Sequence, residues 1–246
     1  MDQPESTTRR DRIELIAAVL IAIAAVLTAI ATFHSEKLGG DILQAHTNAL
    51  GQTSLSNEAY NKSSAQQAIE RDWFFSWYSA SENGEPAAGF LRDAMPREVW
   101  ALIEEWSAAE DDGILNPFSP EAIENYASYA NLPSVELLRQ GDHLDQGSAC
   151  SIFEGRVAED RSDWYDLSVV FLAITLVTAG LAALLKGRVS QGMVLGTAVV
   201  SLVLGAGYLV GGAAEDSSRT KVAHEFFLSD QEGASPEEMM QVCADL

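Results

Sequence analysis

The sequence predicts an all-α protein that crosses a membrane three times and carries a helical extracytoplasmic domain. The first observation is hydropathy: the 246 residues include three runs of 19, 19 and 22 residues without a charged side chain. The second is charge: only 15 Lys+Arg stand against 36 Asp+Glu, and several of these bases lie close to the ends of the apolar runs. The third is that the polar segments show no convincing strand alternation.

The first apolar run, "LIAAVLIAIAAVLTAIATF", occupies residues 15–33 and follows a short N-terminus of residues 1–14. A 19-residue helix is about 29 Å long, which matches a hydrocarbon core of about 30 Å. Lipid offers the backbone no hydrogen-bond partner, so we expect a helix. The alternative is a signal peptide cleaved at Ala29-Ile30-Ala31. A signal's apolar region is usually about 7–15 residues long, which favours retention as an anchor.

The polar segment of residues 34–166 is predicted to form the helical extracytoplasmic domain. Gly39-Gly40 and Gly51 are expected breaks in its first part, because glycine interrupts helical patterns. The composition of "SENGEP", residues 81–86, predicts a turn.

The rest of this segment carries the strongest amphipathic pattern outside the apolar runs. In "MPREVWALIEEWSAAED" the i, i+3, i+4, i+7 template is matched by Val99, Leu102, Ile103 and Trp106. Glu104 and Glu105 are expected to face away from the core. Ser119 is a suitable N-cap for a short helix. From Ser134 the chain can continue as one helix into the second apolar run, with doubtful points at two glycines, Gly141 and Gly147.

Aromatic residues are concentrated in the same domain. The candidates for an interaction surface or a core are the tryptophans Trp73, Trp77, Trp100 and Trp106. A ligand cage is one interpretation, and a hydrophobic core is the other. We favour a core, because a small domain must bury apolar area to offset the entropy cost of folding. Its expected further members are Phe90, Phe118, Tyr126 and Tyr129.

The second and third apolar runs are predicted to form a membrane hairpin. They cover residues 167–185 and 193–214, and the short segment "KGRVSQG" of residues 186–192 joins them. Core helices of soluble proteins usually keep a polar face, and these runs have none. The tail of residues 215–246 follows the third run.

Basic residues predict the orientation of the three spans. The determinants are Arg9, Arg10 and Arg12 before the first span, and Lys186 and Arg188 in the hairpin turn. Lys and Arg near span ends stay on the cytoplasmic side. Both clusters therefore predict a cytoplasmic N-terminus and an extracytoplasmic C-terminus in a plasma or inner membrane.

The two cysteines, Cys150 and Cys243, both lie outside the cytoplasm in this topology. An oxidising compartment permits a disulfide between them. Free thiols and interchain bonds are the alternatives. The sequence has no CxxC motif and no Cys/His spacing typical of a metal site.

Small residues at spacings of four recur in the spans and predict close helix packing. The candidates are Gly192 just before the third span, Gly196, Gly205, Gly207 and Gly211 within it, Ala18 and Ala22 in the first span, and Ala179 and Ala183 in the second. Packing within the chain and packing against other chains both remain open.

Charge and motifs exclude several functions. Residues 34–166 hold 24 Asp+Glu against 8 Lys+Arg, a balance that repels nucleic acid. The segment around Asp142, His143 and Asp145 gives a weak metal signal. "EDDG" at 110–113 lacks the spacing of a calcium loop, because residue 119 is serine. No enzymatic motif is present, so we expect neither catalysis nor a cofactor.

The stretches "IELIAAVLIAIAAVLTAIATF" and "FLAITLVTAGLAALLKGRVSQGMVLGTAVVSLVLGAGYLV" resemble a loosely defined group of bacterial inner-membrane proteins. These proteins have one N-terminal span, a helical external hairpin and a closing pair of spans around a short basic turn. With the Ala/Gln-rich continuation of the first stretch, the resemblance covers about a third of the chain and implies no activity.

The function expected from these observations is that of a membrane scaffold or accessory subunit. Its partners would be the lipid bilayer and either further copies of the chain or another membrane protein. The alternative is a sensor or channel component whose external domain binds a ligand or a cation. A membrane enzyme is the third and weakest hypothesis.

Overall fold

The computed structural model describes residues 5–109, 116–185, 187–214, 219 and 243. These ranges are helical almost throughout and contain no strand, which confirms the all-α prediction for them. Besides a 3₁₀ helix at Ala127–Asn131, the helices are α1 (Glu5–Glu82), α2 (Ala87–Ala94), α3 (Arg97–Ala108), α4 (Pro120–Asn125), α5 (Pro133–Leu184) and α6 (Arg188–Gly212).

Helix α1 is continuous over 78 residues, so the breaks predicted at its glycines are wrong. Each glycine weakens a helix by about 1 kcal/mol relative to alanine. Packing outweighs that cost, because α1 buries a residue at every seventh position, as at Ala17, Ala24, Ala31 and Leu38. A seven-residue repeat is the pattern of helices that wrap around one another.

Helix α5 is also continuous, as the pattern from Ser134 onward predicted. Gly141 does not break it but allows close approach of α1. A Cβ atom at Gly141 would lie 2.6 Å from the ring of Tyr60. The turn predicted at 81–86 is confirmed, and Gly84 adopts a positive φ of 65° there.

The hairpin turn between α5 and α6 is shorter than the predicted segment of residues 186–192. Helix α6 begins at Arg188, where the N–H of Gln191 donates to the carbonyl of Gly187 at 3.0 Å. The hydroxyl of Ser190 donates to the same carbonyl, also at 3.0 Å. The side chain of Ser190 and the backbone therefore start α6 before the third apolar run.

Three helices, α1, α5 and α6, have stretches long and apolar enough to cross a membrane. Most residues in these stretches are not buried within the protein. Outward-facing apolar side chains suit a lipid environment, so the chain has the build of a multi-pass membrane protein.

The chain divides into two compact units. Unit 1 comprises Met1–Asn48 and Cys150–Leu246. In it α1, α5 and α6 pack together, with Leu20, Ala179 and Ala198 as one buried cluster.

Unit 2 comprises Ala49–Ala149. It contains the end of α1, the start of α5 and the short helices between them. Its core includes three fully buried residues of the predicted amphipathic helix, Val99, Leu102 and Ile103, which confirms that pattern.

Candidate functional site

The aromatic residues of unit 2 pack around Phe74, which is 2% exposed. Its ring centroid lies 5.4 Å from that of Trp106, edge to face, and 5.9 Å from that of Phe118. Trp77 and Trp100 make a second edge-to-face contact at 5.3 Å. The four predicted tryptophans, Trp73, Trp77, Trp100 and Trp106, are all partly buried against this core. Edge-to-face pairs are favoured by the ring quadrupole, so this arrangement suits a structural core.

Phe90 does not join the aromatic core and is 74% exposed, so the prediction for it is wrong. Helix α2 has no buried residue. The half-buried residues of α2 are Ala88 and Leu91, which are three apart. They therefore share the inward face of α2, while Phe90 projects to the outside.

Glu70 is a structural residue that the sequence analysis missed. Its carboxylate is 0% exposed and accepts hydrogen bonds from the N–H of Ser134 at 3.0 Å and the hydroxyl of Ser134 at 2.6 Å. Ser134 lies in the first turn of α5, whose N–H groups lack intrahelical partners. A carboxylate is favourable at this positive helix end. The detectable signal is spacing, because Glu70 lies seven residues after the buried Ser63.

Glu105 does not simply face solvent, as its position on α3 predicted. Its carboxylate accepts hydrogen bonds from the N–H groups of Ser128 at 2.8 Å and Ala127 at 3.0 Å. The carboxylate therefore caps the start of the 3₁₀ helix. These bonds, chiefly the one from Ser128, hold the pKa of Glu105 below its ordinary value of 4.5.

Replacing Glu105 by glutamine is expected to lower the free energy of unfolding by about 1 kcal/mol at neutral pH. The folded-state pKa lies below the ordinary value of 4.5, which holds in the unfolded chain, so this contribution is complete above that pH. It is lost as the pH falls through the folded-state pKa. Denaturant unfolding from pH 7 to pH 3, followed by tryptophan fluorescence, measures the difference. The exposed Glu82→Gln is the control, and a pH-independent gap between Glu105→Gln and the native chain would contradict the assignment.

In unit 2, α1 and α5 are antiparallel and meet along a line of small residues. Three side-chain hydroxyls bond to backbone carbonyls across it: Ser63 to Ser134 at 2.7 Å, Ser56 to Gly141 at 3.0 Å, and Ser148 to Ala49 at 3.1 Å. We call this line the seam, and its members are Ala49, Ser56, Ala59, Ser63, Ser134, Gly141 and Ser148. The regular seven-residue steps fix which residues of the two helices lie level.

A groove of about 200 Å³ runs beside the seam between the same two helices. We call it the leucine groove, and it is lined by Leu55, Glu58, Ala59, Lys62, Leu137, Gln140 and Leu144. Glu58 and Lys62 form an ion pair at 2.7 Å. The bond from Lys62 lowers the pKa of Glu58.

The glycines predicted to pack helices fall into two groups. A Cβ atom at Gly205 would lie 2.9 Å from Leu172, and one at Gly211 would lie 2.7 Å from Trp164. Both glycines therefore face α5 in the same chain. Around Gly192, Gly196 and Gly207 nothing lies within 4 Å of such an atom.

The alanines divide in a similar way. Ala179 is fully buried, and Ala183 is half-buried. Ala18 and Ala22 are exposed, so they make no packing surface within the chain. The buried small residues of the first apolar run stand at intervals of seven, as at Ala17 and Ala24.

The structure joins Cys150 and Cys243 as a disulfide, with their Cα atoms 5.4 Å apart. A second contact links the same parts of unit 1, since Arg219 forms an ion pair with Glu154 at 2.9 Å. The guanidinium of Arg161 also donates to the carbonyl of Gly212 at 3.3 Å. Arg219 and Cys243, which follow α6 in the sequence, are thus joined to α5 by one ion pair and one disulfide.

The side chains of the predicted topology determinants lie largely outside the described part of the structure. This applies to Arg9, Arg10, Lys186 and Arg188. Arg12 is described, and its side chain is exposed.

Neither weak metal signal gains support. Within the described ranges, no three or more His, Cys, Asp or Glu residues are grouped so that they could hold a metal ion. Asp142 instead accepts a hydrogen bond from the hydroxyl of Tyr60 at 2.9 Å, which raises the pKa of Tyr60. The segment 110–113 lies outside the described residues.

No protein-family model, curated protein or solved structure matches this chain.

Proposed function

We propose that this protein is a non-enzymatic scaffold or accessory subunit of a membrane, which acts by associating with other protein chains. Three helices with spanning length and composition support the membrane placement. The aromatic rings and two acidic side chains of unit 2, Glu70 and Glu105, have structural roles in the core and at helix ends. Because these aromatic and acidic side chains are used in the core and at helix ends, they favour an association role over a ligand cage.

The disulfide and the basic clusters support one orientation. Cys150 and Cys243 must lie on the same side of the membrane to bond, and two predicted spans separate them. Disulfides persist in oxidising compartments, so that side is extracytoplasmic. The bases Lys186 and Arg188, which lie between the second and third apolar runs, support a cytoplasmic position for the opposite side. The N-terminus is then cytoplasmic and the C-terminus extracytoplasmic.

The outer face of α6 gives the main support for the association role. Gly192, Gly196 and Gly207 share one face of the helix, and each leaves open space where a side chain would stand. The exposed valines Val200 and Val203 lie on the same face. In lipid, helices associate by close packing at small residues, so this face suits another membrane helix.

The paired variants Gly207→Leu and Gly211→Leu test this role. We expect Gly207→Leu to shift the protein from an assembly to single chains in mild detergent, because leucine blocks close approach from outside. Gly211→Leu should instead lower the thermal stability of the chain by about 1–3 kcal/mol, since it overpacks against Trp164. Size measurement and thermal unfolding of both variants separate the two effects.

The control is Thr197→Leu, which enlarges an exposed side chain about 100° around α6 from Gly196. It should change neither size nor stability. A native protein that is a single chain in mild detergent, or a Gly207→Leu variant that keeps the native assembly, would count against the proposed role of α6.

A further inference from the structure

The seam of unit 2 buries little apolar area. Its members are alanine, serine and glycine, and hydrophobic stabilisation scales with the apolar area removed from water. The larger apolar side chains of these helices lie beside the seam. Leu55 is 53% exposed, and Leu137 and Leu144 are half-buried in the leucine groove. The helix pair therefore leaves the leucine groove only partly covered.

The leucine groove carries no net charge, although unit 2 as a whole is acidic. Residues 49–149 hold 17 Asp+Glu and 5 Lys+Arg. The groove itself contains one acid and one base, Glu58 and Lys62, which already neutralise each other. A second acidic protein can approach this surface without facing an unpaired carboxylate from the groove lining.

We propose that the leucine groove of a second copy of this chain covers this groove. The two-fold axis runs parallel to α1 and α5, so the two helix pairs form a four-helix bundle outside the membrane. The orientation of the axis rests on the proposed function, because membrane insertion keeps all copies pointing the same way.

Charge complementarity across that axis supports this occupant. The seam places Ser63 level with Ser134 and Ser56 level with Gly141. Lys62 therefore lies near the level of Glu136, and Leu55 near that of Leu144.

In a two-fold four-helix bundle, each α1 neighbours the α5 of the second copy as well as its own. Lys62 then faces Glu136 of the second copy, and Leu55 faces Leu144 of the second copy. Glu58 lies level with Gln140 of the second copy, whose amide can donate to the carboxylate. The two-fold axis repeats these contacts, so the Lys62–Glu136 pair and the Leu55–Leu144 pair each occur twice.

The existing ion pairs do not oppose this exchange. Lys62 pairs with Glu58, and Arg139 pairs with Glu136 at 2.6 Å. All four side chains are more than half exposed. Exposed pairs contribute at most about 1 kcal/mol, so new partners replace them at little cost.

Cross-linking between differently tagged copies tests the bundle. Lys62→Cys in one full-length copy and Glu136→Cys in the other are co-expressed and oxidised in native membranes. The expected result is a disulfide-linked pair that carries both tags. Ser64→Cys replaces Lys62→Cys as the control, because Ser64 lies at nearly the same level on the far face of α1. A yield no higher than with Ser64→Cys overturns the proposal.

Charge reversal gives a second, independent result. Lys62→Glu and Glu136→Lys should each weaken self-association of the full-length protein, seen as a larger fraction of single chains on dilution, and the double variant should restore the native fraction. Failure of the double variant to restore it also overturns the proposal. A native assembly that persists without the cross-link leaves the membrane scaffold standing and rejects only this interface. A native protein that is a single chain in lipid rejects both.

Discussion

Replacing Cys150 or Cys243 by serine is expected to lower the free energy of unfolding by about 4 kcal/mol. The disulfide closes a loop between residues 93 positions apart, and cross-linking restricts the unfolded chain more as the loop grows. The ion pair of Arg219 with Glu154 is too exposed to replace it. Thermal unfolding of the full-length protein in detergent measures the loss.

The double variant provides the control for this prediction. Removing either sulfur already breaks the bond, so both single variants and the double variant should lose the same stability. A double variant that loses the sum of the two single losses would show that the cysteines act separately. Added reductant should destabilise the native protein and leave the double variant unchanged.

Replacing Leu102 by alanine should cost about 3 kcal/mol of stability in unit 2. The side chain is 0% exposed within the aromatic core, and leucine-to-alanine changes in cores usually cost about 2–5 kcal/mol. Denaturant unfolding followed by tryptophan fluorescence reports on this core directly, because Trp100 and Trp106 lie on the same helix.

Two further variants separate core packing from a general effect of mutation. Phe90→Ala removes a large side chain that is 74% exposed, so its effect should stay within about 0.5 kcal/mol. Leu102→Met keeps most of the volume and should cost less than about 1.5 kcal/mol. Equal losses in Leu102→Ala and Phe90→Ala would contradict the assigned core.

Local sequence patterns were sufficient to predict much of this fold. Apolar length predicted the three helical stretches that are long and apolar enough to cross a membrane, and the 3.6-residue period predicted the buried face of α3 at Val99, Leu102 and Ile103. Turn composition predicted the end of α1 near Gly84. Each of these features depends on residues that are close together in the chain.

Features that depend on distant parts of the chain were harder to predict. The low helix propensity of glycine predicted breaks in α1 at Gly39, Gly40 and Gly51, but pairing with α5 keeps the helix continuous. Small residues at spacings of four pointed to Ala18 and Ala22, whereas burial follows intervals of seven. A search at that longer interval would have included Ala17 and Ala24.

Polar groups with structural roles were the other omission. In its local sequence, Glu70 resembles an ordinary acidic residue of a helix surface. Its buried carboxylate is explained only by the distant Ser134, whose N–H and hydroxyl donate to it. Glu105 similarly requires the N–H groups of Ala127 and Ser128. Hydrogen bonds between residues so far apart in sequence leave no local pattern, apart from the seven-residue spacing of Glu70.

The orientation of the three spans is tested most directly by a reporter fused after Leu246 that fluoresces only in the cytosol. We expect dark cells, because the proposed orientation puts Leu246 outside the cytoplasm. The same reporter fused after Gly187, in the turn between α5 and α6, should give bright cells. This positive control establishes that the reporter is active in the cytosol. Bright cells with the fusion after Leu246 would contradict the three-span orientation.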